Sequence, residues 1–319
     1  MTWTRQRIQR TYPKGTDLIA VLPGLAGVAD RQRGVVTRRQ LATAGVTPSQ
    51  LKAAVDAHRW RTFGRTVVVL DNAPLSVAQR EWVAVLLPTK PAALAGLSAA
   101  AAAGLSGFEP DQVHVLVRHN THTHVPLWVK LHESRRFSAD DITLGGRPPR
   151  TPLPRAVIDA ATWSDWPRRA CAILCAAVQQ RLTTADRLKA ELTDAGSIRH
   201  VRIMRDILGD IGGGGLTLAE IEIGQLAIRA GLGPPHRQGL RRDRDGKVRY
   251  FDAEFALPDG NTLLVEIDGC GHMEVETWLD DSDRQNEVVI DGRVVLRFPS
   301  LTVRLNEGRV VDQLARIRH

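Results

Sequence analysis

The chain contains 319 residues, of which 43% are hydrophobic and 24% are charged. This composition excludes a disordered chain and is typical of a globular protein with two or three domains. The sequence has no apolar run long enough to span a membrane, and its first residues lack the apolar core of a signal peptide. We therefore expect a cytoplasmic protein with no membrane partner. Its net charge of +8 favours a polyanionic partner.

Basic charge is concentrated near the amino terminus. Residues 1–30 are an arm to which the weak periodicity assigns no fold. Residues 31–72 follow, and between 31 and 70 they contain eight Lys and Arg side chains against Asp56 alone. Clustered cations are what the neutralisation of nucleic-acid phosphates requires. The segment therefore predicts DNA binding, with an arginine-rich surface that only faces solvent as the alternative.

Helix boundaries are clearly marked in this basic segment. VVTRRQLATAG predicts a short strand and then a helix that is capped by Thr37 and ends at Gly45. VTPSQLKAAVDAH predicts a second helix, with Thr47 as its cap and Pro48 at its first position. WRTFGRTVVVL predicts two strands that fold back at Phe63-Gly64-Arg65. Helix, turn, helix and basic hairpin is the order of a winged helix-turn-helix, which places its second helix in the major groove of DNA.

Cationic side chains of this segment are the candidates for contact with DNA phosphates. They are Arg38, Arg39, Lys52, Arg59, Arg61 and Arg65. Ser49 and Gln50, together with Lys52 and Arg59, are also candidates for base recognition, on their expected exposure alone.

Residues 73–208 are predicted to form a helical scaffold with short strands. SVAQREWVAVLL and the small-residue run over 92–105 predict helices, whereas VHVLV and LWVKLH predict strands. GGRPPRTPLPR is a linker, and three helices follow it, over RAVIDAATW, RRACAILCAAVQQRL and TTADRLKAELTDAG. Cys171 and Cys175 lie four residues apart in the second of these helices, where buried thiols are the favoured interpretation.

The scaffold also contains a group of histidines: His114, His119, His122, His124 and His132. The sequence HNTHTH lies in a polar loop and lacks the helical or CxxC spacing of structural zinc sites. We therefore favour a solvated loop over zinc binding.

A glycine linker over residues 209–215 marks the best domain boundary, since four consecutive glycines do not fit inside a regular element. The last domain, residues 216–319, begins with a capping pattern at Thr217 and Glu220. The predicted apolar face of its first helix includes Leu218, Ile221, Leu226 and Ile228. Three strands, a helix over 280–290, the strand RVVLRF and a helix over EGRVVDQLARI follow. This is an α/β order with a mixed sheet.

Acidic residues end two of these predicted strands. Asp252 closes one strand, Glu266 and Asp268 close the next, and Pro258-Asp259-Gly260 forms a turn between them. The hairpin would bring Asp252 and Glu266 together at one rim of the sheet. Paired carboxylates suit Mg²⁺ or Mn²⁺, which activates water and stabilises charge at a phosphodiester. The pattern therefore predicts a metal-dependent nuclease centre.

Several motifs in the last hundred residues carry a family resemblance. TLAEIE, AGLGPPHRQ, RYFDAEF, LLVEIDGCGH, DSDRQNEVVIDG and VVLRFP resemble the restriction-endonuclease-like (PD-(D/E)XK) superfamily, in its branch related to very-short-patch-repair endonucleases. VVTRRQLATAGVTPSQLKAAV and WRTFGRTVVVL resemble the AbiEi-type antitoxin domain. The resemblance implies an α+β multidomain fold: a winged helix-turn-helix, a mixed helical scaffold and a C-terminal α/β endonuclease-like domain.

The resemblance also implies roles for individual residues. Asp252 and Glu266 match the two metal-binding acids, and Glu220 matches an acid that helps to hold the metal or its water. His272 matches a histidine that orients or deprotonates the attacking water or shields the leaving oxygen, and Arg284 and Arg297 match arginines that bind phosphate. Alternatively, Glu220 only caps its helix, Arg284 pairs with Asp280 or Asp281 within its own helix, and Asp252 pairs with Arg249. The chain departs from the family at Asp268, where a lysine is usual. A third carboxylate there adds a possible metal ligand, or the residue caps the following turn in a degraded centre.

Two functions from different classes follow. The first is a Mg²⁺- or Mn²⁺-dependent endodeoxyribonuclease that binds double-stranded DNA and acts in phage defence or DNA repair. The second is an inert DNA-binding regulator of the antitoxin type, with a toxin as partner. RNA is an alternative substrate, and a zinc hydrolase that uses the histidine group is a weaker third hypothesis.

Overall fold

The computed structural model describes residues 17–138, 141–143, 148–209, 211, 216–242, 248–268, 288–290 and 293–317. The protein is α+β. It consists of two compact units, one formed by Met1–Ala99 with Glu109–Pro152 and the other by Ala100–Phe108 with Leu153–His319. Most of the predicted glycine linker lies outside the described residues, so the domain limits expected from the sequence stay predictions.

The first unit begins with a helical and antiparallel module. Its elements are α1 (Leu18–Val21), α2 (Pro23–Arg31), β1 (Val35–Thr37), α3 (Arg38–Ala44), α4 (Pro48–Asp56), β2 (Arg61–Phe63) and β3 (Val67–Val69). The three strands form one antiparallel sheet in the order β1-β3-β2. The predicted helices and strands of residues 34–70 are thus confirmed.

Local caps explain where α3 and α4 begin. The Thr37 hydroxyl accepts from the Gln40 backbone N–H while the Gln40 side chain accepts from the Thr37 N–H, at 3.1 and 2.7 Å. Thr47 and Gln50 repeat this capping box at the start of α4. Each threonine cap typically contributes about 1 kcal/mol. Gly45 ends α3 with φ +96°, a left-handed conformation that glycine adopts without strain.

The core of this module includes part of the N-terminal arm, to which the sequence pattern assigned no fold. Leu18 and Leu25, from α1 and α2, are buried in one cluster with Leu41, Leu51 and residues of the sheet. Asp17 caps α1 by accepting from the Ile19 backbone N–H. Residues from 17 onward are therefore packed into this module, and residues 1–16 lie outside the described part.

A second sheet belongs to the same unit. Its neighbouring elements are α5 (Val77–Leu86), β4 (Ala92–Leu94), α6 (Gly96–Ala102), β5 (Val113–Arg118) and β6 (Val129–Ser134). The strand order is β4-β5-β6, with β4 antiparallel and β6 parallel to β5. The helix predicted over 92–105 is wrong in its first three residues, because they pair with Val115–Val117 and form a buried strand instead.

The second unit contains a helical part with the elements α7 (Leu153–Trp163), α8 (Pro167–Gln179), α9 (Ala185–Ala195) and α10 (Val201–Gly209). The three predicted helices are confirmed, and α10 was not predicted. Cys171 and Cys175 are buried and pack with Ile207 of α10. Their interpretation as apolar core residues is confirmed.

The C-terminal part contains α11 (Leu216–Arg229), β7 (His236–Arg242), β8 (Val248–Ala256), β9 (Thr262–Asp268), β10 (Val288–Ile290), β11 (Arg293–Pro299), α12 (Ser300–Leu305) and α13 (Glu307–Ile317). Its five strands have the order β10-β11-β9-β8-β7. β9 and β11 are parallel, and all other neighbouring pairs are antiparallel. The expected mixed sheet is therefore present.

One face of this sheet is packed against helices. Phe255, Val265 and Phe298 are buried in one cluster with Ile223 and Leu226 of α11 and with residues of α12 and α13. Two predictions are wrong here. Ile228 is 57% exposed rather than part of the apolar face of α11. Residues 288–290 form a strand and not the end of a helix, because this β-branched run pairs with β11.

Among the described residues, no helix combines the length and the apolar character that a membrane crossing requires.

Candidate functional sites

The hairpin that joins β8 to β9 brings the predicted acids together. The Leu257 N–H donates to Asn261 O at 2.9 Å, and the Asp259 carboxylate accepts from the Asn261 N–H at 2.9 Å. Gly260 completes the turn with φ +83°. This tight connection sets the register in which Ala253 is opposite Val265. The predicted hairpin at Pro258-Asp259-Gly260 is confirmed, but Asp252 lies in the middle of β8 and does not end its strand as predicted.

Strand alternation then decides which face carries the acids. Ala253, Phe255, Val265 and Ile267 are buried against the helices. Side chains alternate along a strand, so Asp252 and Glu266 lie on the opposite face. Asp252 precedes Ala253 and Glu266 follows Val265, so the continued antiparallel register places the two acids opposite each other. Cross-strand neighbours have Cβ atoms roughly 4.5–5.5 Å apart.

A hydrogen bond confirms that Asp252 reaches β9. Asp252 Oδ2 accepts from the backbone N–H of Ile267 at 2.6 Å, immediately beyond Glu266. Partial burial raises the pKa of Asp252 above its ordinary value, and the Ile267 N–H opposes this only in part. The carboxylate therefore sits where its negative charge is poorly solvated, a setting in which a cation is favourable.

Glu266 has a cationic neighbour on the next strand. The register places Arg297 of β11 beside Glu266, and Arg297 Nη2 lies 3.0 Å from Glu266 Oε2. Leu296 and Phe298 are buried on the core side, so Arg297 lies on the same face as the acids. Asp252, Glu266 and Arg297 thus form a row across three strands, which we call the acidic row.

The remaining predicted site residues are described only partly. Asp268 ends β9 and Glu220 lies in α11, but the side chains of both are outside the described part of the structure. His272 and Arg284 lie outside the described residues altogether. Within the described ranges, no group of three or more His, Cys, Asp and Glu side chains is arranged to hold a metal ion.

Two residues on the same face of the sheet as the acidic row were not predicted as site residues. Glu254 lies two residues after Asp252 on β8, and the register pairs it with His236 of β7. Glu254 is half-buried and His236 is exposed. The alternation in FDAEF was the available signal for Glu254, because it places both acids of this strand on one face.

The basic segment in the first unit presents most of its predicted cations to solvent. Arg38 and Arg39 are exposed in the first turn of α3, Arg59 is exposed after α4, and Arg65 is exposed in the turn between β2 and β3. Lys52 is also exposed, but its ammonium lies 2.6 Å from Asp56 Oδ2. Four arginines of this segment thus keep the exposure that phosphate contact requires.

Two predicted contact residues have structural partners instead. The Arg61 guanidinium donates to the Ala73 carbonyl and lies over the Phe63 ring, 5.8 Å from its centroid. Gln50 is half-buried and bound to Thr47 through the capping box. The expectation that Gln50 is an exposed base reader is therefore wrong, because the cap uses its side chain.

The histidine group divides into strand and loop residues. His114 lies on β5 and His132 on β6, and His132 Nε2 is 3.2 Å from His114 Nδ1. His119 Nδ1 lies 3.1 Å from Glu133 Oε2, whereas His122 and His124 are exposed. His122 and His124 are thus solvent-exposed, as expected of HNTHTH, whereas His114 and His132 lie on the strands predicted from VHVLV and LWVKLH.

Comparisons with known proteins do not establish a family. No family model and no curated protein matches the chain. Among solved structures, the chain is similar to the crystal structure of the RV2827C protein from Mycobacterium tuberculosis, at 19% identity and a TM-score of 0.40. The similarity covers 65% of this chain and 82% of that one, and it carries no functional argument.

Proposed function

We propose that the protein binds double-stranded DNA and hydrolyses phosphodiester bonds with Mg²⁺ or Mn²⁺ at the acidic row. The observation that carries this proposal is the placement of Asp252 and Glu266 side by side on the face of the sheet opposite its helix-packed core. A hairpin needs no such pair for its stability, since neighbouring like charges destabilise a sheet. A shared cation offsets that cost.

The donor set suits the proposed metal. Both candidate ligands are carboxylates, and hard oxygen donors are what Mg²⁺ and Mn²⁺ prefer. The bound ion would supply Lewis acidity and activate water. Asp252 is held in place by the Ile267 N–H. Arg297 is positioned by Glu266 to bind a phosphate oxygen, since a guanidinium offers paired donors to such a group.

The DNA-binding part of the proposal is supported by α3, α4 and the β2–β3 hairpin. Their order, with β1 completing a three-stranded antiparallel sheet, is that of a winged helix-turn-helix. Arg38, Arg39, Arg59 and Arg65 are the exposed cations that would contact phosphate.

The ion pair of Glu266 with Arg297 favours a second function. An arginine that neutralises Glu266 weakens the attraction of this site for a cation, and Asp268 replaces the usual lysine. The alternative is therefore an inert DNA-binding regulator of the antitoxin type, with a toxin as partner.

Cleavage of supercoiled plasmid by the purified protein separates the two functions. With Mg²⁺ or Mn²⁺, we expect nicking by the wild type and none by Glu266→Gln or Asp252→Asn. Asp312→Asn is the matched control, since it removes an exposed carboxylate from α13 of the same unit. DNA binding without metal-dependent nicking would refute the enzyme and favour the regulator. Replacing the plasmid by RNA tests the other substrate.

DNA binding is tested separately by its salt dependence. We expect Arg38→Gln with Arg39→Gln to weaken binding and to reduce the slope of log affinity against log salt by about 0.9 for each lost phosphate contact. Arg202→Gln with Arg205→Gln removes the same charge from exposed positions of α10 and should leave binding unchanged. Equal losses in both double variants would refute the basic segment as the DNA-binding surface.

A further inference from the structure

His114 and His132 are brought together by the pairing of β5 with β6. The register places His132 beside Leu116, which is two residues from His114 and therefore on the same face of the sheet. The two rings stack with centroids 5.0 Å apart and planes inclined by 27°. One nitrogen of each ring faces the other at 3.2 Å. A pair of imidazoles is thus held by two strands rather than by a loop.

This spacing matches two ligands on one metal ion. Zinc–nitrogen bonds of about 2.0–2.1 Å at a tetrahedral angle separate two ligand nitrogens by about 3.3–3.4 Å. The observed 3.2 Å is close to that value. Imidazole is a preferred ligand of Zn²⁺, Cu²⁺ and Ni²⁺.

The protonation state of the pair also suits metal binding. Burial, with a smaller contribution from the Lys130 ammonium, lowers the pKa of His114 to about 4, although the Asp111 carboxylate opposes this. Burial, the neighbouring His114 and Lys130 lower the pKa of His132 to about 3. Both rings are therefore neutral at neutral pH, and only the neutral ring binds a metal. Both are half-buried and so keep access for water to complete the coordination.

We propose that His114 and His132 form a two-imidazole site for a divalent transition-metal ion of the Zn²⁺, Cu²⁺ and Ni²⁺ class. In the metal-free pair, one ring donates its N–H to the facing nitrogen of the other. On binding, that proton moves to the outer nitrogen of its own ring, so both facing nitrogens donate lone pairs and no net proton is released. Two protein ligands leave the ion exchangeable, unlike a closed four-ligand structural site. This site is independent of the proposed nuclease.

Calorimetric titration of the full chain with Zn²⁺, Cu²⁺ and Ni²⁺ tests this site. We expect one saturable ion per chain, lost in His114→Gln and in His132→Gln. The double variant His122→Gln with His124→Gln, which changes the exposed loop histidines, should keep it. Binding that is lost in the loop variant and kept in His132→Gln would overturn the proposal, as would the absence of saturable binding to the wild type.

Two further measurements leave both histidine ligands unchanged. Lys130→Gln removes a positive charge that acts on both rings, so we expect tighter metal binding with both histidines intact. The electron paramagnetic resonance spectrum of the Cu²⁺-loaded wild type should show coupling to two imidazole nitrogens. An unchanged affinity of Lys130→Gln, or a Cu²⁺ spectrum without imidazole nitrogen coupling, would contradict the assignment.

Discussion

Replacing Arg297 by glutamine separates the stabilising role of the acidic row from its proposed chemistry. Arg297 Nη2 lies 3.0 Å from Glu266 Oε2, and the two side chains are 49% and 32% exposed. Ion pairs of such exposure contribute about 0.2–1 kcal/mol. We therefore expect Arg297→Gln to lower the free energy of unfolding by about that amount. The same change removes the cation beside Asp252 and Glu266, so Mg²⁺ should bind more tightly while any cleavage falls.

Denaturant unfolding and Mg²⁺ calorimetry measure these two effects. A double-mutant cycle with Glu266→Gln isolates the coupling energy of the pair. The matched control is Arg229→Gln, since Arg229 Nη1 lies 2.6 Å from Glu307 Oε2 in a comparably exposed pair, at 58% and 54%. It should cost similar stability and leave Mg²⁺ binding unchanged. Unaltered Mg²⁺ affinity in Arg297→Gln would refute the reasoning that this arginine competes with a cation.

Three more predictions follow from local geometry. Asp252→Asn keeps an oxygen for the Ile267 N–H and removes a poorly solvated charge. Because burial raises the pKa of Asp252, the folded state binds more protons than the unfolded chain, so the variant should be more stable than the wild type at neutral pH and equally stable near about pH 3. A variant that is less stable at neutral pH would contradict this. Thr47→Ala should lower the free energy of unfolding by about 1 kcal/mol in urea denaturation. Thr47→Ser keeps the capping hydroxyl and should retain most of that free energy. Equal losses in the two variants would exclude the cap as the cause. The pKa values of His114 and His132 are lowered to about 4 and about 3, so the unfolded chain binds more protons than the folded protein below about pH 6.5. The free energy of unfolding should therefore fall as the pH is lowered below that value. An NMR titration that finds either ring charged at about pH 5.5 would refute the pairing.

Local patterns predicted the elements well where short-range physics decides them. The Thr47 capping box, the glycine that ends α3 and the Asp259 turn each depend on residues within a few positions. The hairpin signal likewise predicted that Asp252 and Glu266 lie together, because the turn fixes the register of the two strands. The α+β class and the hairpin that holds the two acids were therefore predictable from the sequence.

Longer contacts decided the predictions that are wrong. Val288–Ile290 reads as the end of a helix, yet its pairing with β11 makes it a strand. The sequence predicts a helix over Ala92–Leu94, whereas its pairing with Val115–Val117 makes it a strand. In each case a partner supplied by the fold outweighs local propensity.

Composition, caps and alternation by themselves determined where helices and strands begin, which charges cluster and which carboxylates share a hairpin, since these features depend on near neighbours in the chain. Only the tertiary structure decided that Arg297 neutralises Glu266 and that His114 meets His132 across parallel strands. The physical reason is strand order: β11 is placed beside β9, and β6 beside β5, by long-range pairing that no local sequence signal specifies.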